Sequence, residues 1–155
     1  MPFIVCSNLM EIPPGESIGI KELAKYQGVS ETYLSKIFTK LKNHGLLQFT
    51  PGVKGGYKLA KPAKEITFWD VISAIHGTAP LFHCREVRQK CLGNQGVRME
   101  NPCLINQVML EAEERMRAYL RSKTLYWLYR EVKANMSEEQ KERVREWFRE
   151  ALASR

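Results

Sequence analysis

The sequence predicts a mainly helical fold that carries one small β-hairpin. Apolar residues recur at helical spacing in several segments, and Gly or Pro separates these segments. Two short strand-like runs flank a single glycine-rich turn in the first half of the chain. Apolar residues make up 44% of the 155, which is enough for a packed core and argues against a disordered chain.

The chain is expected to begin with a short apolar helix over Phe3–Met10. Pro13 and Pro14 end this helix, because proline lacks a backbone donor and clashes with the preceding turn. Ile18 is predicted as a brief strand. A second helix is predicted over Ile20–Gln27, with apolar residues on one face and lysines on the other.

A third helix is predicted from Ser30 to about Asn43. Gly28 supplies the turn before it, and the Ser30 hydroxyl can accept a backbone N–H of the first helical turn. Gly45 fits the C-terminal cap. Four apolar residues of this helix follow the spacing of a buried stripe, namely Leu34, Ile37, Phe38 and Leu41.

Two strand-like runs, Leu46–Thr50 and Gly56–Ala60, follow the third helix. They are predicted to pair as a hairpin, because the PGVKGG run around their junction favours a tight turn and permits positive φ. A further helix is predicted over Phe68–His76, with Thr67 as its N-cap.

The helical periodicity is lost from Gly77 to Pro102, and we predict a long ordered loop there. A long two-faced helix follows over Leu104–Ser122, and such helices commonly pack against a partner subunit. Its acidic residues, Glu113 among them, are expected off the apolar stripe. The predicted stripe consists of Ile105, Val108, Ala112, Met116, Tyr119 and Leu120.

Helix, glycine turn, second helix and glycine-rich hairpin, in that order, are the plan of a winged helix-turn-helix. Two C-terminal helices are expected, over Thr124–Ala134 and from a Ser137 capping box to Ala153. We therefore predict a winged helix-turn-helix DNA-binding domain over residues 1–77 and a cysteine-containing sensor loop over 78–103. A dimerisation helix and the C-terminal helices fill residues 104–155.

The basic residues are unevenly distributed along the chain. The net charge is +7, from 24 basic and 17 acidic residues. Seven lysines and no acidic residue lie between Thr32 and Lys64, so this stretch repels itself and suits an anionic partner. A solvated surface with no role is the alternative. Residues 1–80 contain no Arg, which excludes the fork-shaped Arg-to-guanine contact from this part.

The third helix is the candidate recognition helix of double-stranded DNA. Residues near the N-terminus of such a helix reach base edges most often, so Thr32, Tyr33, Ser35 and Lys36 are predicted at or near base edges. Thr39, Lys40 and Lys42 lie later in the helix and are predicted to contact phosphate. Val53 and Lys54 form the predicted wing tip, which would approach an adjacent minor groove or phosphate. The predicted DNA-binding residues are Thr32, Tyr33, Ser35, Lys36, Thr39, Lys40, Lys42, Lys54 and Tyr57.

These segments closely resemble the IscR/NsrR/CymR family of bacterial transcription regulators, the Rrf-two family. The resemblance is carried by IKELAKYQGVSETYLSKIFTKLKNHGLL and TPGVKGGYKLAKPAKEITFWDVISAIHG, and it covers about residues 18–77. It implies a homodimer that binds a pseudo-palindromic operator, usually as a repressor, with the long helix at the dimer interface. Two features depart from the family pattern: the first helix carries no Lys or Arg, and Pro51 stands where many members have Arg.

Four cysteines are present, and three of them lie at or beside the predicted loop: Cys84, Cys91 and Cys103. The resemblance implies an iron–sulfur cluster on these thiolates, although their spacing of six and eleven intervening residues is wider than the family usually shows. A redox thiol switch is the second interpretation, because nearby basic residues lower thiol pKa values. The third is that these cysteines have no sensory role. Cys6 is expected in the core.

Other functions are less well supported by the sequence. It contains no phosphate loop, nucleophile elbow or HExxH motif, and Asp70 is its only Asp, so we do not expect an enzyme. A winged helix that docks on protein is the alternative class. No apolar run reaches the length of a membrane span, and no secretory signal is recognised, so we expect a cytoplasmic protein without a membrane partner.

Overall fold

A computed structural model describes residues 2–52, 54–82 and 103–154 of the chain. The chain forms two compact units. The first unit comprises residues 1–77 together with 121–155, and the second comprises residues 78–120. Seven α-helices and one two-stranded antiparallel sheet occur among the described residues. The prediction of a mainly helical fold with a small β-wing is confirmed.

The first unit begins with helix α1, Pro2–Asn8, and a 3-10 turn at Leu9–Glu11. Helices α2, Ile20–Gln27, and α3, Glu31–Asn43, follow as a helical hairpin. Between them Gly28 adopts the left-handed conformation, with φ at +64°, which glycine adopts without the steric cost of a side chain. The N-cap is also as predicted, since the Tyr33 backbone N–H donates to Ser30 Oγ at 3.2 Å.

The hairpin consists of β1, Leu47–Thr50, and β2, Gly56–Leu59, with Leu47 opposite Leu59 and Thr50 opposite Gly56. Helix α4, Phe68–His76, begins at the predicted Thr67 cap, which forms a reciprocal capping box with Asp70. The buried apolar residues of α3, including Leu34 and Phe38, join those of the hairpin and α4 in one core. This core leaves the other side of α3 in solvent.

The C-terminal helices complete the core of the first unit. Helix α6, Leu125–Ala134, buries Leu125, and α7, Glu138–Ala153, buries Phe148. A backbone hydrogen bond joins the start of α6 to the segment before α4: the Leu125 N–H donates to Ile66 O at 2.9 Å. The sequence grouped residues 104–155 together, whereas the structure unites 121–155 with the N-terminal domain, since α6 and α7 cover apolar residues of that domain.

The second unit contains most of helix α5, Leu104–Ser122, and the described part of the segment before it. Glu113 is 6% exposed, which differs from the solvent-facing position expected for it. Its carboxylate forms an ion pair with Arg117 and accepts the Leu81 backbone N–H at 3.1 Å. Arg117 donates to Thr78 O at 3.2 Å, so both side chains hold residues 78–81 on α5.

No helix among residues 2–52, 54–82 and 103–154 is both long and apolar enough to cross a membrane. The longest of these helices, α5, carries Glu111, Glu113 and Arg115 in its middle.

Candidate nucleic-acid interface

The outward half of α3 is entirely polar apart from the ring of Tyr33. The four buried residues of the helix repeat every three or four positions and occupy the opposite half. Because the packed half fixes the helix, the outward half is presented in one defined orientation. The predicted contact residues on this half are all exposed, namely Thr32, Tyr33, Ser35, Lys36, Thr39, Lys40 and Lys42.

The charges on α3 favour a polyanion. Glu31, in the first turn, is the one acidic residue of the helix, and it sits at the end where the helix dipole stabilises it. From Thr32 onward the exposed charges of α3 are the ammonium groups of Lys36, Lys40 and Lys42. The hydroxyls of Thr32 and Ser35 precede Lys36, and that of Thr39 lies between Lys36 and Lys40. Donors and acceptors for base edges therefore lie beside groups suited to phosphate.

Two of these lysines have partners within the first unit. Lys40 Nζ donates to the backbone oxygen of Ile75, in the last turn of α4, at 2.7 Å. Lys42 Nζ lies 5.9 Å from the centre of the Phe49 ring, which is 45% exposed on β1. No ion pair or hydrogen bond holds the Lys36 ammonium among the residues that the structure describes.

The wing is anchored to the segment before α2 rather than projecting freely. Ile18 and Tyr57 exchange two backbone hydrogen bonds, at 2.7 and 3.0 Å, so Ile18 forms the predicted bridge. Gly56 permits this approach, because a Cβ there would lie 2.3 Å from Ile18 O. At the tip, the Ser17 hydroxyl donates to Lys54 O at 3.1 Å. Lys54 is therefore held by its backbone, and the residue is exposed.

Tyr57 is half-buried at the base of the wing. Its ring packs edge-on against Phe38 at 4.8 Å and against Phe49 at 5.0 Å between centroids. This environment gives Tyr57 a supporting position beneath the exposed lysines, and DNA contact by its hydroxyl stays a prediction. Val53, the other predicted tip residue, lies outside the described residues.

Two of the four cysteines, Cys6 and Cys103, lie among the described residues. Cys6 is 1% exposed, in agreement with its predicted place in the core, and burial raises the pKa of its thiol to about 12. Cys103 directly precedes α5, is partly exposed and forms no disulfide with another described residue. Cys84 and Cys91 lie outside the described residues, so the predicted three-cysteine site stays a prediction.

Sequence reasoning missed part of the apolar surface of α5. Leu104, Met109 and Leu110 were not assigned to the stripe, yet they are 75%, 39% and 48% exposed. Within the stripe, Ile105 and Val108 are 67% and 64% exposed. The exposed apolar surface of α5 is thus wider than a single stripe. The signal for this was in the sequence, because α5 contains more apolar residues than one stripe can hold.

The helical hairpin, the outward polar face of α3 and the anchored hairpin together define a winged helix-turn-helix protein of the DNA-binding regulator class. A family model described as "Rrf2: Iron-dependent Transcriptional regulator" matches residues 3–131. The chain therefore belongs to the Rrf2 family of transcriptional regulators.

Named relatives and solved structures agree with this assignment. The Lactococcus lactis protein YffB, whose name describes a helix-turn-helix transcriptional regulator, is 33% identical over 105 residues, or 68% of this chain and 67% of that protein. The regulator IscR of Klebsiella pneumoniae is 29% identical over 108 residues, or 70% and 62%. The structure of CymR, the global cysteine regulator of Bacillus subtilis, has the same fold, with a TM-score of 0.63 and 21% identity over 82% of this chain and 89% of that one.

Proposed function

We propose that this protein is a homodimeric, sequence-specific DNA-binding repressor whose operator affinity is set by redox or iron–sulfur chemistry at Cys84, Cys91 and Cys103. The observation that carries the DNA-binding part is the outward half of α3, which presents hydroxyls together with three lysines and has no acidic residue after Glu31. Such a surface supports phosphate contacts from the lysines and base contacts from the residues near the helix N-terminus.

Sequence preference in this protein would come from few direct contacts. The winged domain has no Arg, so guanine is read without a bidentate guanidinium. Thr32, Tyr33 and Ser35 supply hydroxyls near the start of α3, and Lys36 supplies an ammonium one turn along. DNA shape and the wing contact of Lys54 would add the remaining preference.

A charge reversal on α3 tests the DNA-binding face. Duplexes are first selected from a random pool by the wild-type protein, and binding is then followed by gel shift at constant salt. We expect Lys36→Glu to abolish binding, because it places a carboxylate among phosphates. Arg143→Glu is the matched control, since Arg143 is an exposed cation of α7. Equal binding by both variants would contradict the assignment of α3, and wild-type protein that selects no duplex would favour the protein-docking alternative.

The homodimer is supported by the exposed apolar residues of α5. Ile105, Val108 and Tyr119 are each more than three-fifths exposed in the single chain, which is unusual for large apolar side chains on one helix of a soluble domain. An isologous pair of such helices would remove this surface from water and place two winged domains on the halves of a palindromic operator.

Sedimentation of two neighbouring variants tests the dimer. Val108→Asp puts a charge on the exposed apolar surface, and Gln107→Asp puts the same charge on the adjacent exposed polar position. We expect the first variant to sediment as a folded monomer and the second as a dimer. A dimer in both cases would contradict the role of α5.

Regulation at the cysteines rests on their chemistry and on the relatives. Cys103 is partly exposed, and thiolates are the usual ligands of iron–sulfur clusters. The description of the Rrf2 family as iron-dependent supports the cluster. The solved structure of an oxidised form of Staphylococcus aureus CymR, which shares the fold, supports thiol chemistry. A regulator of DNA binding without a cysteine sensor is the remaining alternative.

Anaerobic purification with iron analysis, a visible spectrum and a thiol count before and after mild peroxide separates these cases. A coloured, iron-containing protein supports the cluster. A colourless protein that loses loop thiols on oxidation supports the redox switch. Three loop thiols that neither bind iron nor react would refute both sensory proposals. Cys6 serves as an internal reference, because its buried thiol does not take part.

A further inference from the structure

The Lys40 ammonium has a hydrogen-bond partner within the protein. Its Nζ donates to Ile75 O at 2.7 Å, across 35 positions of the sequence. Ile75 lies in the last turn of α4, where backbone carbonyls have no partner within the helix and carry the negative end of the helix dipole. The bond therefore satisfies an exposed helix end and joins the recognition helix to the neighbouring helix.

Lys40 also lies at the edge of the outward half of α3. It follows buried Ile37 by three residues and directly precedes buried Leu41, whereas Lys36 and Thr39 lie nearer the centre of the polar half. Its side chain therefore leaves α3 on the side that faces α4, and Val71 and Ala74 of α4 share the core with the buried residues of α3. From this position the ammonium reaches the end of α4, where it donates to Ile75 O.

We infer that Lys40 is a positioning residue, which holds the C-terminal half of the recognition helix against α4, and that it is not a phosphate contact. This inference rests on the proposed DNA-binding function of α3. It revises the sequence prediction for Lys40 and leaves Lys42 as a phosphate contact. Lys36, predicted to lie at or near base edges, is taken here to contact phosphate as well. Because α4 ends just before residues 78–103, the Lys40 bond joins α3 to the helix that precedes the cysteine segment in the sequence.

A positioning residue and a phosphate contact have different signatures in binding experiments. A phosphate contact contributes about 0.9 to the slope of log affinity against log salt and acts on every DNA sequence. A positioning residue affects the fit of base contacts, so its loss lowers affinity for the selected sequence only and leaves the slope unchanged. The aliphatic stem is preserved in a Lys→Met substitution, so packing along the helix is retained.

The experiment compares Lys40→Met, Lys40→Arg and Lys36→Met with wild type on a labelled duplex selected by the protein and on a scrambled duplex of equal composition. We expect Lys40→Met to lose about tenfold in affinity for the selected duplex, as for one charge-assisted hydrogen bond. The affinity of Lys40→Met for the scrambled duplex and its salt slope stay at wild-type values. Lys40→Arg binds the selected duplex with wild-type affinity. Lys36→Met weakens binding to both duplexes and lowers the slope.

Three results would overturn the inference. A lower salt slope and weaker binding to both duplexes in Lys40→Met would make Lys40 a phosphate contact. Wild-type behaviour of Lys40→Met beside a clear effect of Lys36→Met would leave Lys40 without a role in binding. Wild-type binding by all variants would contradict the proposal that α3 binds DNA. In the first two results Lys36→Met binds more weakly than wild type, so this variant distinguishes them from the third.

Discussion

The second unit offers two ion pairs of identical spacing on one helix, and their different burial gives a quantitative prediction. Glu113 and Arg117 have side chains that are 6% and 21% exposed, whereas Glu111 and Arg115 are 64% and 79% exposed. Glu113 also accepts the Leu81 N–H at 3.1 Å, so it holds the backbone at Leu81 against α5.

Truncation of Glu113 leaves the Arg117 guanidinium without its carboxylate in a largely buried place. Loss of one partner from a fully buried pair costs about 3–5 kcal/mol, and water can reach the fifth of Arg117 that is exposed, so we expect about 2 kcal/mol for Glu113→Ala. For Glu111→Ala we expect about 0.3–0.5 kcal/mol, because solvent already screens that pair.

Hydrogen exchange followed by mass spectrometry measures this difference locally. A loss of about 2 kcal/mol in local stability should speed amide exchange in residues 78–82 by about 30-fold in Glu113→Ala. Glu111→Ala should leave that segment within about twofold of wild type. Equal exchange rates in the two variants, or protection of residues 78–82 that survives the loss of Glu113, would refute the reasoning.

Three further substitutions or reactions test the first unit. Gly56→Ala should lower the free energy of unfolding by about 2–4 kcal/mol in urea titrations, because the new Cβ would lie 2.3 Å from Ile18 O. The control is Gly28→Ala, whose Cβ meets no neighbour, and an equal or larger cost for that variant would contradict the prediction. Ser30→Ala should cost about 1 kcal/mol through loss of the α3 cap, against less than about 0.5 kcal/mol for the exposed Ser35→Ala in the same assay. Cys6 should resist alkylation in the folded protein and react after unfolding, and equal reactivity in both states would argue against its burial. The free energy of unfolding should fall as pH rises from about 9 towards 12, because only the unfolded thiol ionises in that range.

Local signals in the sequence were sufficient for the helices and the hairpin and for the starts of three helices. The first helix ends at Asn8, two residues before its predicted end. Ser30, Thr67 and Ser137 cap three helices through bonds that span three residues, so each cap can be recognised within a short window. The buried stripe of α3 predicted which residues face solvent for the same reason. The exposure of the α3 side chains could therefore be predicted position by position.

Features that depend on distant parts of the chain could not be predicted in this way. The bond from Lys40 to Ile75 spans 35 positions, and the burial of Glu113 depends on residues 78–81 folding back onto α5. Neither leaves a periodic signal, so Lys40 was expected to contact phosphate and Glu113 to face solvent. The packing of α6 and α7 on the N-terminal domain was missed because amphipathic helices do not reveal their partner.

The central claim is that the outward half of α3 and the wing tip bind duplex DNA through phosphate contacts. Its most direct test is the salt dependence of affinity for a selected duplex, measured for wild type and for the triple variant Lys36→Met, Lys42→Met, Lys54→Met. Three contacts in each of two protomers predict a slope of roughly −5 for wild type, and the triple variant should lose most of it. The triple variant Arg143→Met, Arg145→Met, Arg149→Met removes equal charge from α7 and should keep the full slope. A slope that is the same in wild type and in both variants would contradict the account.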